Sequence, residues 1–455
     1  MAGEVTRNSV ILQSRMTTGE RTTDGDVPGK VGYACFEVAS QARFRNSFRT
    51  KWMAATSEND FIIKTKVAGL DEGTRYYYRL LSGEDTTRFQ IGERREFRTW
   101  PAPDVRREAS FVVVTGMCFG KFHFGVDTTG KRAYQGSDKH LGYPGLKTIL
   151  GMKPDFFVGT GDNVYYDFPV ADRATTQAEL RKKWHEQFVQ PRYVELFAQV
   201  PSYWEKDDHD HRYNDCDTTG QRPPSNELGI ETFREQVPVV DSLDPHAVTY
   251  RTHQINGLLQ IWLVEGRDYR SPNDMPDGPG KTLWGREQKA WLKQTLSESD
   301  AVFKILISPT PLVGPDGTFK NDNHTNFGGF RHEGNEFFAW LKENDFMSRN
   351  FFIICGDRHW QYHSEHPFGI EEFSCGALVD ANSRFGFQPG DSSSTDPGAL
   401  ITQPYLQEDK SGGFLAVSVT PGKGAEQDKI TFAFYDEFGV QLYMTTKTAT
   451  SRVAL

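Results

Sequence analysis

Four absences or scarcities in this 455-residue chain narrow its class. No apolar run approaches the roughly 20 residues that a membrane-crossing helix requires. The opening MAGEVTRNSV has neither the basic nor the apolar region of a secretory leader, so the chain as given is expected to be soluble. Lys and Arg form no basic run and the net charge is −9, which disfavours a nucleic-acid binder. Cysteine is scarce: Cys35, Cys118, Cys216, Cys355 and Cys375 are odd in number and widely spaced. A complete disulfide framework is excluded, no CxxC pair suggests zinc or redox chemistry, and at least one thiol must be free.

What is present is an ordinary globular balance, 37% apolar and 25% charged, with Gly and Pro scattered rather than periodic. The length predicts two domains, or one large domain with an appendage. Up to about Trp100 the chain reads as short strands. FIIKTKVAGL places Ile63, Thr65 and Val67 on one strand face; after the turn signal Asp71-Glu72-Gly73, TRYYYRLL alternates Tyr76, Tyr78 and Leu80. Residues 1–100 are therefore expected to form an all-β sandwich of the fibronectin type III kind. A linker over 101–110 follows, opened by the two prolines of WPAPD.

From Phe111 onward the texture changes to continuous apolar runs: FVVV, FFV, LLQIWLV, FKILI and FFIIC. Such runs suit strands buried on both faces. Between them lie one-face helical patterns at Ala178–Gln190 and over WGREQKAWLKQTL, where Trp284, Trp291, Leu292 and Leu296 align. Residues 111–455 are thus expected to form an α/β domain with a two-layered sheet core flanked by helices.

The residues following each strand carry the chemistry, because ligands in open α/β sheets bind beyond the carboxyl ends of the strands. FVVV leads into TGMC, FFV into GTGDNVYYD, LLQIWLV into EGRDYR and FFIIC into GDRHWQYH. Gly161 permits a sharp turn that exposes Asp162, with Tyr165 returning three residues later. Asp357 and His359 alternate after Gly356 and can face one side. WEKDDHDHRYND crowds Asp207, Asp208, Asp210 and Asp215 with His209 and His211, a repulsion that bound cations would relieve; Asn214 adds a neutral oxygen. Taken singly, these segments also read as a capped polar loop or a solvated acidic loop. Taken together they point to a two-cation site in which Asp162 bridges, since one carboxylate can span ions about 3.5 to 4 Å apart.

At these residues the chain resembles the alkaline phosphatase D (PhoD-like) family of calcineurin-like metallophosphatases, over nearly its whole length. GDNVYYD is similar to the family's GD-x-x-Y motif, DDHDHRYND to its DDHD…ND motif, and EGRDYR to its D-x-R-x-Y-R strand end. WGREQKAWLKQTLSESDAVFKILIS resembles its G-x-x-Q-x-x-WL helix and strand, and CGDRHW its GD-x-H motif. Two positions depart from the pattern: Glu265 stands where the family has Asp, and Arg358 where a small apolar residue is usual.

The resemblance implies a dinuclear or larger metal centre. One cation would take Cys118, Asp162, Tyr165 and His359; the other would share Asp162 and take Asn214 and Asp357, with Asp207 or Asp208. Thiolate, phenolate and imidazole suit ferric iron and the hard oxygens suit calcium, with zinc or manganese as alternatives. Arg267 and Arg270 would hold phosphate oxygens bidentately. His209, kept protonated by its acidic neighbours, would give a proton to the leaving group.

The implied activity is metal-dependent hydrolysis of phosphate esters by a metal-activated hydroxide, on a small phosphomonoester or phosphodiester. A phospholipase D-like phosphodiesterase on lipid is the alternative within the class. A surface-binding protein, whose loop tryptophans such as Trp360 contact carbohydrate or lipid, is the alternative outside it. The family is mostly exported, which implies a periplasmic or secreted protein; the missing leader leaves the cytoplasm as the other expectation. Oligomeric state is not legible.

Overall fold

Strands that read as unbroken apolar runs are unbroken because each is covered on both faces. The computed structural model describes residues 1–450 apart from 20, 21, 23, 24, 128, 242, 243, 245 and 246. A nine-stranded sheet runs in spatial order Gln441–Thr448, Lys429–Asp436, Gly413–Thr420, Ala109–Val114, Phe156–Thr160, Ser202–Glu205, Ala2–Gly3, Ser9–Arg15 and Ile62–Ala68. A seven-stranded sheet runs Arg251–Gln254, Leu259–Leu263, Phe303–Ser308, Phe351–Cys355, Glu371–Cys375, Gln361–Glu365 and Thr402–Leu406.

The two sheets stack face to face, and alternate residues of each strand sort to opposite sides. Phe111, Val113, Phe156 and Val158 join Ile261, Leu263, Ile305, Ile307, Phe352 and Ile354 in the core between the sheets. Val112, Val114 and Phe157 point outward to helices Pro144–Met152, Gln177–Phe188 and Pro191–Leu196. Trp262, Leu306 and Ile353 point to helices Gly285–Glu298 and Arg331–Glu343 on the other flank. Stacked rings such as Phe373 on Phe432, with centroids 3.9 Å apart, close the inner layer. The helix expected over Ala178–Gln190 starts at Gln177 because Thr176 and Glu179 form a reciprocal capping box, and it ends before Pro191.

The N-terminal sandwich is present, with one of its layers shared. Its outer sheet contains Phe48–Arg49, Gly32–Ala39, Arg75–Gly83 and Phe89–Ile91, with Met53–Ala55 and Arg95–Arg98 paired at its sides. Its other layer is the far end of the nine-stranded sheet, where Gly3 pairs in parallel with Ser202. Polar contacts seal this junction. Trp100 Nε1 donates to Val5 O and to Tyr203 OH, both at 2.9 Å. Buried Glu4 takes Arg251 at 2.6 Å and His253 at 2.9 Å. Lys64 Nζ donates to the carbonyls of Arg234, Glu235 and Val237 at 2.6, 2.9 and 2.8 Å, so a strand of the sandwich caps the end of helix Asn226–Gln236.

Two outcomes follow from a shared layer. Lys64→Met leaves three carbonyls without their donor and should lower unfolding stability by about 2 kcal/mol, read as a shift in urea midpoint at unchanged slope. Deleting residues 1–100 bares the edge of Ser202–Glu205 and should yield insoluble protein; a soluble, cooperatively unfolding remainder would show that the layers are independent.

Candidate metal centre

Register brings the chemistry to one edge. Thr160 pairs with Glu205 and Ser308 with Cys355, all in parallel, so Asp162, the Asp207–Asp208 pair and Asp357 emerge from the same end of the two stacked sheets. Glycine allows the close approach: a Cβ on Gly161 would run into the Asp207 side chain, and one on Gly356 into the Thr160 carbonyl. Asp162 and Asp357 both sit in the left-handed region, with φ of 54° and 57°, a conformation uncommon for non-glycine residues and often met at functional sites.

The acids form two groups whose ligand atoms lie within 4.8 Å of one another: Asp162, Asp208 and His209, and Asp208, Asp215 and Asp322. Asp208 belongs to both. Asp162 Oδ2 accepts from Tyr165 OH at 2.6 Å and lies 2.8 Å from His359 Nε2. Burial, with Asp208 and Asp210 nearby, drives the Asp162 carboxyl well above the ordinary carboxylate range against the pull of His209. Burial also raises Asp207, opposed by Arg267 and reinforced by Asp208, Asp357 and Asp162. Burial alone would raise Asp208 too, yet His209, Arg267 and Lys320 hold it well below that range. Asp210 accepts from Asp207 N, Asn163 N and Asn163 Nδ2 and pins the acidic loop in place.

A bound cation fits this donor set. Asp162 Oδ1, Asp207 Oδ2, both oxygens of Asp322 and His359 Nδ1 are buried without a hydrogen-bond partner, an unusual concentration of unsatisfied acceptors. His359 is held neutral, first by burial and then by Arg384 and Lys121, which leaves an imidazole lone pair for a metal. Tyr165 OH also accepts from Asn382 Nδ2 at 2.7 Å, and its ring lies 4.2 Å from that of His209. Cys118 is buried at the start of helix Phe119–Phe124, its thiol pushed up to about 12 by burial while Lys121 pulls the other way. It lies outside the two ligand groups, close enough for its charge to act on Tyr165.

Several expected roles meet different surroundings. Asn214 is exposed, with its backbone N–H on Asp167; the loop turns after it through Asp215, at φ 55°, which carries the second group together with Asp322. The acid common to both groups is Asp208, where Asp162 was expected to bridge. Arg267 is fully buried: Nε donates to Asp207 Oδ1 at 2.7 Å and Nη1 to Cys216 O at 2.7 Å, so its fork is committed to protein. Arg270 is also buried, bonded to Gly266 O and Asn273 Oδ1 and stacked 5.3 Å from the Phe330 ring, with Nη2 unpartnered. Glu265, the longer acid, accepts the backbone N–H groups of Arg267 and Asp268 and Lys206 Nζ, and so shapes the loop rather than the guanidinium. Arg358 pairs with Asp316 and Asp357. Trp360 is buried against Phe387, which removes it as a surface contact. Burial would lower His209, and Asp208, Asp167 and Asp162 together push it to about 10, with Nδ1 2.7 Å from Asp167 Oδ1.

Asp322, Asp167, Lys320, Lys121 and Asn382 went unread because they lie in loops without periodicity, and their proximity exists only after folding. Asp322 sits in NDNHTN, which reads as a polar turn, yet it is fully buried. Lys320 pairs with Asp215 and is raised by Asp322 and Asp357 after burial has lowered it.

Comparison with known proteins identifies the family. The family model "PhoD-like phosphatase" matches residues 133–404, and "PhoD-like phosphatase, N-terminal domain" matches 1–101. Alkaline phosphatase D of Bacillus subtilis (strain 168) is 22% identical over 463 aligned positions, covering 92% of this chain and 75% of that protein. Among solved structures, PhoD superposes with a TM-score of 0.73 at 18% identity, covering 100% of this chain and 92% of that one. The purple acid phosphatase PPD1 of yellow lupin (Lupinus luteus) superposes with a TM-score of 0.64 at 12% identity, covering 98% and 73%. With the first family model alone spanning more than half of the 455 residues, and a buried acid and histidine cluster at the strand ends, the chain belongs to the PhoD-like phosphatase family of phosphoric ester hydrolases.

Proposed function

We propose that this hydrolase acts on small phosphomonoesters and phosphodiesters through two cations held where the sheets meet. The observation that carries this reading is the group Asp208, Asp215 and Asp322 beside buried oxygens of Asp162, Asp207 and Asp322 that no protein donor satisfies. Cys118, Asp162, Tyr165 and His359 would hold a ferric ion, and Asp208, Asp215 and Asp322, with Asp207 and Asp357 beside them, would hold calcium. Bound cations supply Lewis-acid activation of water and neutralise phosphoryl oxygens.

The chain's own residues do the rest. Asn382 and Asp162 fix the Tyr165 hydroxyl from two sides. His209, protonated and oriented by Asp167, stands over the Tyr165 ring beside Asp162 and is placed to give a proton to the departing alkoxide. Calcium is most available outside the cytosol, which favours an exported protein.

Asp162→Asn removes a charged ligand and should cut both metal content and ester hydrolysis by about a hundredfold or more. Full activity at unchanged metal stoichiometry would overturn the centre.

Phenolate bound to ferric iron absorbs visible light, so the iron-loaded protein should be coloured and Tyr165→Phe should shift or bleach it. Asp322→Asn should lose calcium while keeping the colour, and Asn214→Ala should keep both. Elemental analysis that finds only zinc in a colourless, active protein would replace the iron assignment.

His209→Gln should slow release of an alkyl alcohol by about a hundredfold and of p-nitrophenol far less, because the better leaving group needs no proton. Equal losses on both esters would deny His209 the proton.

A further inference from the structure

With Arg267 tied to Asp207, Arg358 to Asp316 and Asp357, and Lys320 to Asp215, most cations around the centre are already neutralised by protein. Arg384 is different. It is exposed, and among the described residues its guanidinium has no hydrogen bond or ion pair. Its backbone is nonetheless fixed at the centre. Arg384 N donates to His359 O at 2.8 Å, and the turn before it, Asp380–Asn382, is clamped twice. Asn382 Nδ2 donates to Gly116 O at 3.1 Å and to Tyr165 OH at 2.7 Å. Arg132 Nη1 and Nη2 donate to Ser383 O at 3.2 Å and to Ser383 Oγ at 2.8 Å.

A second cation stands beside it. Lys121 Nζ donates to Asn382 Oδ1 at 2.6 Å and lies 5.5 Å from the Phe168 ring. The charges feel each other: after burial, and against Cys118, Arg384 further lowers Lys121. The groups that offset Lys121 are Cys118, Asp162 and Asp167, of which Asp167 is engaged with His209. Once Asp162 carries a cation, less negative charge is left to offset Lys121 and Arg384.

We propose that Arg384, backed by Lys121, is the substrate-binding arginine of this enzyme, taking two non-bridging oxygens of the phosphoryl group in its planar fork. The backbone anchors hold the guanidinium's root rigidly beside His359, so only the side-chain torsions are ordered on binding. Arg267, buried behind Asp207, then serves to hold the acidic loop. The inference deepens the hydrolase reading and rests on it.

The test uses full-length, metal-reconstituted protein, with inorganic phosphate titrated calorimetrically and p-nitrophenyl phosphate as substrate. Arg384→Gln should weaken phosphate binding and raise KM by about ten- to hundredfold at unchanged metal content, and Arg384→Lys should recover only part of the loss. Phosphate affinity within twofold of wild type overturns the assignment. So does a loss of affinity that tracks loss of metal, which would mean that position 384 acts only by supporting His359. Arg384-dependent phosphate binding in a wild-type protein that hydrolyses no ester would leave the anion site standing and remove the hydrolase reading.

Discussion

Carboxylates buried within a few ångströms of each other repel, and the repulsion among Asp162, Asp207, Asp208, Asp322 and Asp357 constrains everything around them. Without a counter-charge, burial drives Asp162 and Asp207 toward the neutral form. The protein supplies part of that counter-charge through Arg267 on Asp207, Lys320 on Asp215 and Arg358 on Asp357. It leaves Asp162 Oδ1, Asp207 Oδ2 and both Asp322 oxygens unsatisfied, so the compensation is incomplete on the side facing the site. A fold that concentrates acids in this way and withholds donors from them has the electrostatics of a cation receptor.

The same constraint separates two roles that arginine can play. A guanidinium buried among carboxylates, such as Arg267, is held by short contacts and cannot turn its fork to a substrate without abandoning an acid. One with a fixed backbone and a free side chain, such as Arg384, has nothing to abandon. The proximity of Arg267 and Arg270 in sequence suggested a phosphate clamp, and the fold buries both, Arg267 on Asp207 and Arg270 on Gly266 and Asn273 with its Nη2 unpartnered.

Scaffold and centre are coupled through strand order. The strand Ser202–Glu205, whose end delivers Asp207 and Asp208, has Phe156–Thr160 on one side and the N-terminal strand Ala2–Gly3 on the other. A sandwich that reads as a separate module is thus the lateral support of a catalytic strand, sealed by Trp100, Glu4 and Lys64.

By itself the sequence determined the class of fold and the local donors. Continuous runs such as FFIIC dictate strands covered on both faces, and the one-face spacing of Trp291, Leu292 and Leu296 dictates a helix. Residue type at the strand ends, Asp162, Asp207, Asp208, Asp357 and His359, dictates metal chemistry. These features are set by neighbours a few positions apart, where period and chemistry are visible along the chain. Only the tertiary structure decided that Asp208 is shared, that Asp322 joins it from a loop more than a hundred residues away, and that Asn214 turns outward. The fate of each arginine was decided there too. Distances between side chains from different strands depend on sheet register and on the left-handed turns at Asp162, Asp215 and Asp357, and no periodicity along the chain encodes them.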